Sequence, residues 1–202
     1  LDRMVAHLSD TTEFDRPHRV PSLSADHPKY NPLGRYWQGG VWPGTNYMTI
    51  DGLYRKGYHD LAREIAANHY AAVFEVWKNT GTFWEYYAPE KIEPGFMARK
   101  DFVGWTGLPP IAVFIEYILG VKSDYSEGRI VWDIEHTEVH GIERYPYGPD
   151  GVVGLKVKRR ASAGETPSVS VETNVPFDLT VTWGDGQSRT VRVEKSGTAK
   201  LN

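Results

Sequence analysis

The chain has 202 residues, 40% of them apolar and 24% charged, with a net charge of −3. This is the composition of an ordinary globular protein with room for one large domain or two small ones. The negative balance and the lack of a Lys/Arg stripe exclude a nucleic-acid footprint. No apolar run approaches the roughly 18–20 residues that cross a bilayer, so neither nucleic acid nor membrane is expected as a partner. With no cysteine, disulfides, thiolate metal sites and a cysteine nucleophile are excluded, and the compartment is left open.

Residues 1–10 read as the tail of a helix. The first residue is Leu1, and no signal-peptide pattern follows, so the sequence reads as part of something longer. Residues 11–42 carry Pro17, Pro21, Pro28 and Pro32 with little periodicity, which predicts a long loop of the kind that is functional when ordered. Pro43 suits the first position of a helix. That helix is expected to run to about Lys56, with Tyr47, Ile50 and Tyr54 on one face, and to stop at Gly57. A second helix is predicted over 58–79, with Leu61, Ile65, Ala72 and Val76 at helical spacing and Gly81 ending it. The pair makes an αα-hairpin. A second loop rich in aromatic residues, Pro and Gly covers 82–108. A last helix over 109–120 is apolar nearly all round, as for a helix covered on several sides.

Beyond Val121 the pattern becomes short β-branched runs at 129–135, 138–145, 151–159, 167–173, 177–183 and 189–195, separated by turn signals such as Gly148-Pro149-Asp150-Gly151. These predict a small antiparallel β-sandwich, with the domain boundary at 122/123. About four helices and two long loops do not readily enclose a core of their own, so their packing partners are expected upstream of Leu1.

Phe, Trp and Tyr make up 13% of the chain, which has 7 Trp. Trp37, Trp42, Trp84 and Trp105 all fall in the irregular segments. Aromatic rings on loops offer flat apolar platforms, for which the C–H faces of sugars are one natural ligand. Sealing the end of a helical barrel would use the same rings.

Three segments in order carry a resemblance: Tyr36-Trp37-Gln38-Gly39-Gly40-Val41-Trp42-Pro43-Gly44-Thr45-Asn46-Tyr47, Gly81-Thr82-Phe83-Trp84-Glu85-Tyr86-Tyr87, and Asp101-Phe102-Val103-Gly104-Trp105-Thr106-Gly107-Leu108. Together they resemble motifs of the inverting (α/α)6-barrel glycoside hydrolases, the group of processing α-glucosidase I, mannosylglycerate hydrolase and trehalase. The resemblance covers residues 1–122. It implies an α+β chain of two domains: 1–122 as the C-terminal helices of an incomplete (α/α)6 barrel, and 123–202 as an accessory antiparallel β-sandwich.

It further implies Glu85 as the general base, a carbohydrate substrate with an α-linked glucose or mannose, and no cofactor. Tyr36, Trp37, Trp42 and Trp105 would wall the sugar pocket, Gln38 and Asn46 would donate to hydroxyls, and Gly39 and Gly40 would let the backbone approach closely. Tyr47 and Trp84 read as barrel packing. Two departures matter. The processing-glucosidase branch has Arg where this chain has Gln38, so an anionic substrate group gains no charge there. The family's general acid is an Asp earlier in the barrel, so the active site would be completed by an N-terminal part outside this chain. Inverting hydrolysis needs two carboxyl groups roughly 6.5–9.5 Å apart, which makes the isolated chain an inactive fragment. A non-catalytic carbohydrate-binding or structural module is the alternative.

Other candidates are weaker. Glu90 and Glu93 read as solvated charge, and Asp101 as a supporting carboxylate behind the site. His136 and His140, if on one strand, would stand ~13 Å apart and could not share an ion, so no metal is expected. There is no phosphate-binding Gly loop and no Gly-x-Ser-x-Gly elbow.

Overall fold

The computed structural model describes residues 1–194 and 196–199. They divide into two units, Leu1–Ile118 and Leu119–Asn202. The division falls a few residues ahead of 122/123, because the first strand of the second unit already starts at Val121.

In the first unit a short helix α1 (Asp2–Ala6) continues into a 3₁₀ turn, His7–Ser9. Helix α2 (Pro43–Arg55) follows the long loop, with Trp42 extended at its cap and Pro43 at its first position. There the missing N–H of proline is no loss. Helix α3 (His59–Thr80) ends where Gly81 turns left-handed at φ 73° and its N–H donates to the Trp77 carbonyl, 2.7 Å away. This is the expected hairpin. A 3₁₀ turn (Trp105–Gly107) then leads into the last helix, Pro109–Ile118. That helix is wound as a π-helix, Val113 N–H reaching back to the Leu108 carbonyl at 2.9 Å.

One buried cluster joins these pieces: Val5, Val20, Ile50, Leu53, Ala62, Ile65, Ala66, Val113 and Tyr117. The small residues of α3 let the helices approach, so they share a core more fully than the sequence suggests. Their outer faces still expose large apolar groups, among them Met4, Met48, Phe74 and Ile111. In the last helix Val113 and Tyr117 are buried while Ile111 stays exposed, so one of its faces is uncovered. A second cluster, Val41, Val73, Val76 and Tyr87, ties α3 to the two loops.

Among the described residues the second unit holds eight strands: β1 (Val121–Asp124), β2 (Arg129–Ile134), β3 (His140–Tyr147), β4 (Gly151–Val157), β5 (Val169–Thr173), β6 (Phe177–Trp183), β7 (Gln187–Val193) and β8 (Gly197–Ala199). They form two four-stranded sheets, β1-β2-β6-β7 and β3-β4-β5-β8. The expected run to 195 ends at Val193, and residue 195 lies outside the described residues. Period-2 alternation is clean in β6, where Phe177, Leu179, Val181 and Trp183 are buried. Rings from the two sheets meet in the middle: Trp132 with His140 at 5.7 Å and Tyr147 with Phe177 at 5.6 Å between centroids.

The sheets are not wholly antiparallel. Strands β2 and β6 pair in parallel, Trp132 opposite Val181. The chain leaves β2, builds β3 to β5 of the other sheet, and returns alongside β2 in the same direction. Only such a long crossover permits a parallel pair.

Candidate active site

Three loop segments converge at the N-terminal end of α2. The first, 36–42, folds back on itself. Tyr36 sits at φ 51°, and its carbonyl accepts from Gly40 N–H at 3.0 Å and from Trp42 Nε1–H at 3.2 Å. A Cβ on Gly40 would overlap that carbonyl oxygen and crowd the Tyr86 ring. Gly39, at φ 107°, lies against the Tyr30 ring. The glycines thus let protein atoms pack together; the expectation that they open the backbone to a sugar is corrected.

The second segment, 82–90, is joined to the first by a two-way bridge. Val41 N–H donates to the Tyr87 carbonyl at 2.9 Å, and Tyr87 N–H returns the bond at 3.0 Å. The third, 99–106, holds the residue of interest from behind. Glu85 N–H donates to the Arg99 carbonyl at 3.0 Å, and Trp105 Nε1–H donates to the Glu85 carbonyl at 2.7 Å. Thr106 Oγ1–H likewise binds the Trp84 carbonyl at 2.7 Å.

The bridge aligns a column of rings. Trp37 stacks on Trp42 at 4.3 Å and 16°, and Trp42 on Tyr86 at 4.5 Å and 30°. Tyr36 meets Trp42 edge-on at 5.1 Å, and Trp105 lies 5.8 Å from it, backed by Phe102 at 4.7 Å. Trp42 is only 4% exposed, while Trp37 is 50% exposed and Trp105 39%. Trp42 is therefore the buried middle of the wall, and Trp37 and Trp105 supply its accessible faces. Tyr36, Trp37, Trp42, Trp105 and the Glu85 backbone are brought together. Sequence reasoning missed Tyr86 as the third ring of the stack, though it follows Glu85 directly.

Glu85 is half-buried. Its carboxylate has no hydrogen-bond partner among the described residues, whereas its main chain is fixed at both N–H and C=O. A carboxylate held by its backbone with both oxygens unused is available to a ligand or a water. Burial, then the charge of Glu85, pushes the neighbouring Tyr86 hydroxyl up from its ordinary value. Gln38 is half-buried too. Its main chain is bonded to Arg35 and Asn31, and its side-chain amide is unpaired among the described residues.

Asn46 departs from expectation. It is 1% exposed; its Oδ1 accepts from Val20 N–H at 2.6 Å, and its Nδ2 donates to the carbonyls of Val20 at 3.1 Å and Trp42 at 3.0 Å. It clamps the 11–42 loop onto α2 and has no donor left for a hydroxyl. Asp101 accepts from Thr82 Oγ1–H at 2.7 Å and shapes the loop rather than the pocket. Glu90 is not solvated charge: Arg16 grips it with Nε and Nη2 at 2.7 and 2.6 Å, and Tyr30 O–H adds a bond of 2.6 Å. The Arg16 hydrogen bonds hold its carboxyl below the usual range. Glu93 stays exposed.

The histidines also hold a correction. His136 and His140 approach to 5.7 Å between ring centroids, because residues 136–139 bend before β3 begins. Among the described residues no group of three or more metal-ligating side chains forms. His18 and His69, unremarked in the sequence, form a fully buried pair.

A family model described as the mannosylglycerate hydrolase MGH1-like glycoside hydrolase domain matches residues 1–103. The chain is similar to a probable mannosyl-oligosaccharide glucosidase of Schizosaccharomyces pombe, 32% identical over 54% of this chain and 14% of that protein. It is similar to the mannosylglycerate hydrolase MGH1 of Selaginella moellendorffii, 40% identical over 37% of this chain and 14% of that protein. A solved GH63 mannosylglycerate hydrolase from Thermus thermophilus, in complex with glucose, aligns at 25% identity with a TM-score of 0.43, covering 56% of this chain and 24% of its own. The chain spans about a third or less of the length of the curated relatives it matches.

Proposed function

We propose a role from one premise, that the chain belongs to the mannosylglycerate hydrolase MGH1-like glycoside hydrolase family: it supplies the general base and the aromatic wall of an inverting glycosidase. Helices α1–α3 and the π-helix are the C-terminal part of an (α/α)6 barrel, and the β unit is its accessory domain. The substrate is an α-linked glucoside or mannoside. Trp37 and Trp105 offer ring faces to the sugar, Tyr36 and Trp42 hold those rings, and the Gln38 amide donates to a hydroxyl. Glu85 takes a proton from the attacking water. The general acid, an Asp, comes from a part of the enzyme outside this chain.

The observation that carries this reading is Glu85, within the matched residues, whose carboxylate is unpaired among the described residues and whose main chain is fixed by Arg99 and Trp105 next to the stacked Tyr86. A general base must reach its water with an unshared lone pair, and partial drying by rings tunes its basicity. Inversion makes a specific stereochemical claim. Proton NMR of the reaction of a longer polypeptide containing this chain, with α-glucosides and α-mannosides, should find the β-anomer of the released sugar first. An α-anomer first would rule out inversion. Binding without turnover in that longer polypeptide would favour the non-catalytic module.

A further inference from the structure

His18 and His69 are each 0% exposed, and His18 Nε2 and His69 Nδ1 share a hydrogen bond of 2.8 Å. Their outer nitrogens, His18 Nδ1 and His69 Nε2, meet no partner of good geometry among the described residues. A buried polar atom without a partner costs on the order of 1–3 kcal/mol, and two apolar side chains would fill the same space without that cost. Packing alone therefore does not account for the pair.

Its position does. His69 lies midway along α3. Its neighbour Asn68 accepts from Arg19 N–H at 2.9 Å and donates to the Pro17 carbonyl at 3.0 Å, so two successive residues of α3 grip three successive residues of the loop. On the other side, His18 N–H donates to the Pro89 carbonyl at 2.9 Å, and its ring lies 5.5 Å from that of Tyr87. Tyr87 is the residue bridged to Val41, and its hydroxyl accepts from Trp84 N–H at 3.3 Å. A continuous path thus runs from α3 through the two imidazoles to the segment that carries Glu85 and Tyr86.

We propose that the His18–His69 pair is a positioning element for the Glu85 segment, fastening it to α3 only while both imidazoles are neutral. The proposal rests on the reading of Glu85 as the site carboxylate, but its test does not use hydrolysis. A proton on either ring would be a buried charge beside a second imidazole. From α3, Glu64 is paired with Arg19, which also binds Asp15. From the 82–90 segment, Glu90 is paired with Arg16, and Tyr87 is a neutral phenol. From α2, Asn46 carries no charge. None of these is a carboxylate free to hold an imidazolium. Burial, reinforced for His18 by the charge of His69, pushes both rings down, His69 to about 3, with the Ala88 backbone opposing weakly at His18.

The test compares near-UV circular dichroism, which reads the Trp37–Trp42–Tyr86 stack, with the far-UV helix signal of the 202-residue chain, titrated from pH 7 to pH 3. The expected result is a loss of about half the near-UV signal below the ordinary histidine range, ahead of any far-UV change. In His69→Asn, which keeps a partner for His18 but leaves one titrating ring, that early loss should shift in pH, and in a folded His18→Asn, His69→Asn double variant it should disappear. His18→Asn tests the other ring if the first variant does not fold; if neither folds, the wild-type titration decides alone. The proposal is overturned if both signals collapse together in the wild type, or if a folded variant titrates as the wild type does. Either result stands apart from whether the longer enzyme cleaves sugars.

Discussion

Replacing Asn46 with Ala removes three hydrogen bonds from a site that is 1% exposed. The Val20 N–H and carbonyl lose their partner in a place water does not reach; the Trp42 carbonyl retains Asn46 N–H and Thr45 Oγ1–H. Two orphaned backbone groups cost on the order of 2–5 kcal/mol together. For a unit of this size that amounts to a fall in Tm on the order of 10 °C. Differential scanning calorimetry of the 202-residue chain measures it directly. Asn46→Asp keeps the acceptor for Val20 N–H but turns a buried carboxylate oxygen towards the carbonyls of Val20 and Trp42, so its loss should be at least as large at neutral pH. An Asn46→Ala chain that melts with the wild type would refute the clamp, and loss of sugar binding in that same chain would return Asn46 to the pocket.

Gly40→Ala should be at least as damaging, because the added methyl meets the Tyr36 carbonyl, a backbone atom that cannot swing away; loss of the near-UV signature of the ring stack would report it. Glu90→Gln should cost about 2 kcal/mol in urea unfolding, as the charged bonds from Arg16 and the one from Tyr30 are weakened. The native Glu90 carboxyl is depressed below its unfolded value of 4.5, so its contribution is present above that pH and lost as the pH falls. His18 and His69 are also depressed in the native state, from 6.5. Their neutral forms therefore contribute full stability above pH 6.5, and acid removes it by about 1.4 kcal/mol per pH unit for each ring. Urea midpoints between pH 7 and pH 5 should fall less in a folded His18→Asn, His69→Asn double variant.

The helices were legible because Pro43, Gly57 and Gly81 punctuate clean helical spacing, and the strands because their runs are β-branched between turn residues. The parallel pairing of β2 with β6 was not legible, since strand order depends on which distant runs meet, and period-2 alternation is the same in either direction. The aromatic wall could be read because its members sit in loops where burial alone does not require them. Asn46 misled for a physical reason. Beside Trp42 in a polar, Gly-rich segment, an amide that binds a ligand and one that binds the backbone have the same sequence signature. The bonds from Asn46 to the Val20 main chain, 26 residues away in sequence, decide between them, and such a distant contact leaves no mark on residue type. The His18–His69 contact joins residues 51 apart in sequence, and no local pattern announces it.

The role of Glu85 is tested most directly by Glu85→Gln in a longer polypeptide that includes this chain and turns over an α-glucoside or α-mannoside. The amide keeps the shape and the backbone bonds to Arg99 and Trp105 but cannot take a proton. The account predicts a fall in kcat of about 10²–10⁴-fold with KM little changed, the size expected of a lost general base. An unchanged kcat, with the variant folded as the wild type, would contradict it.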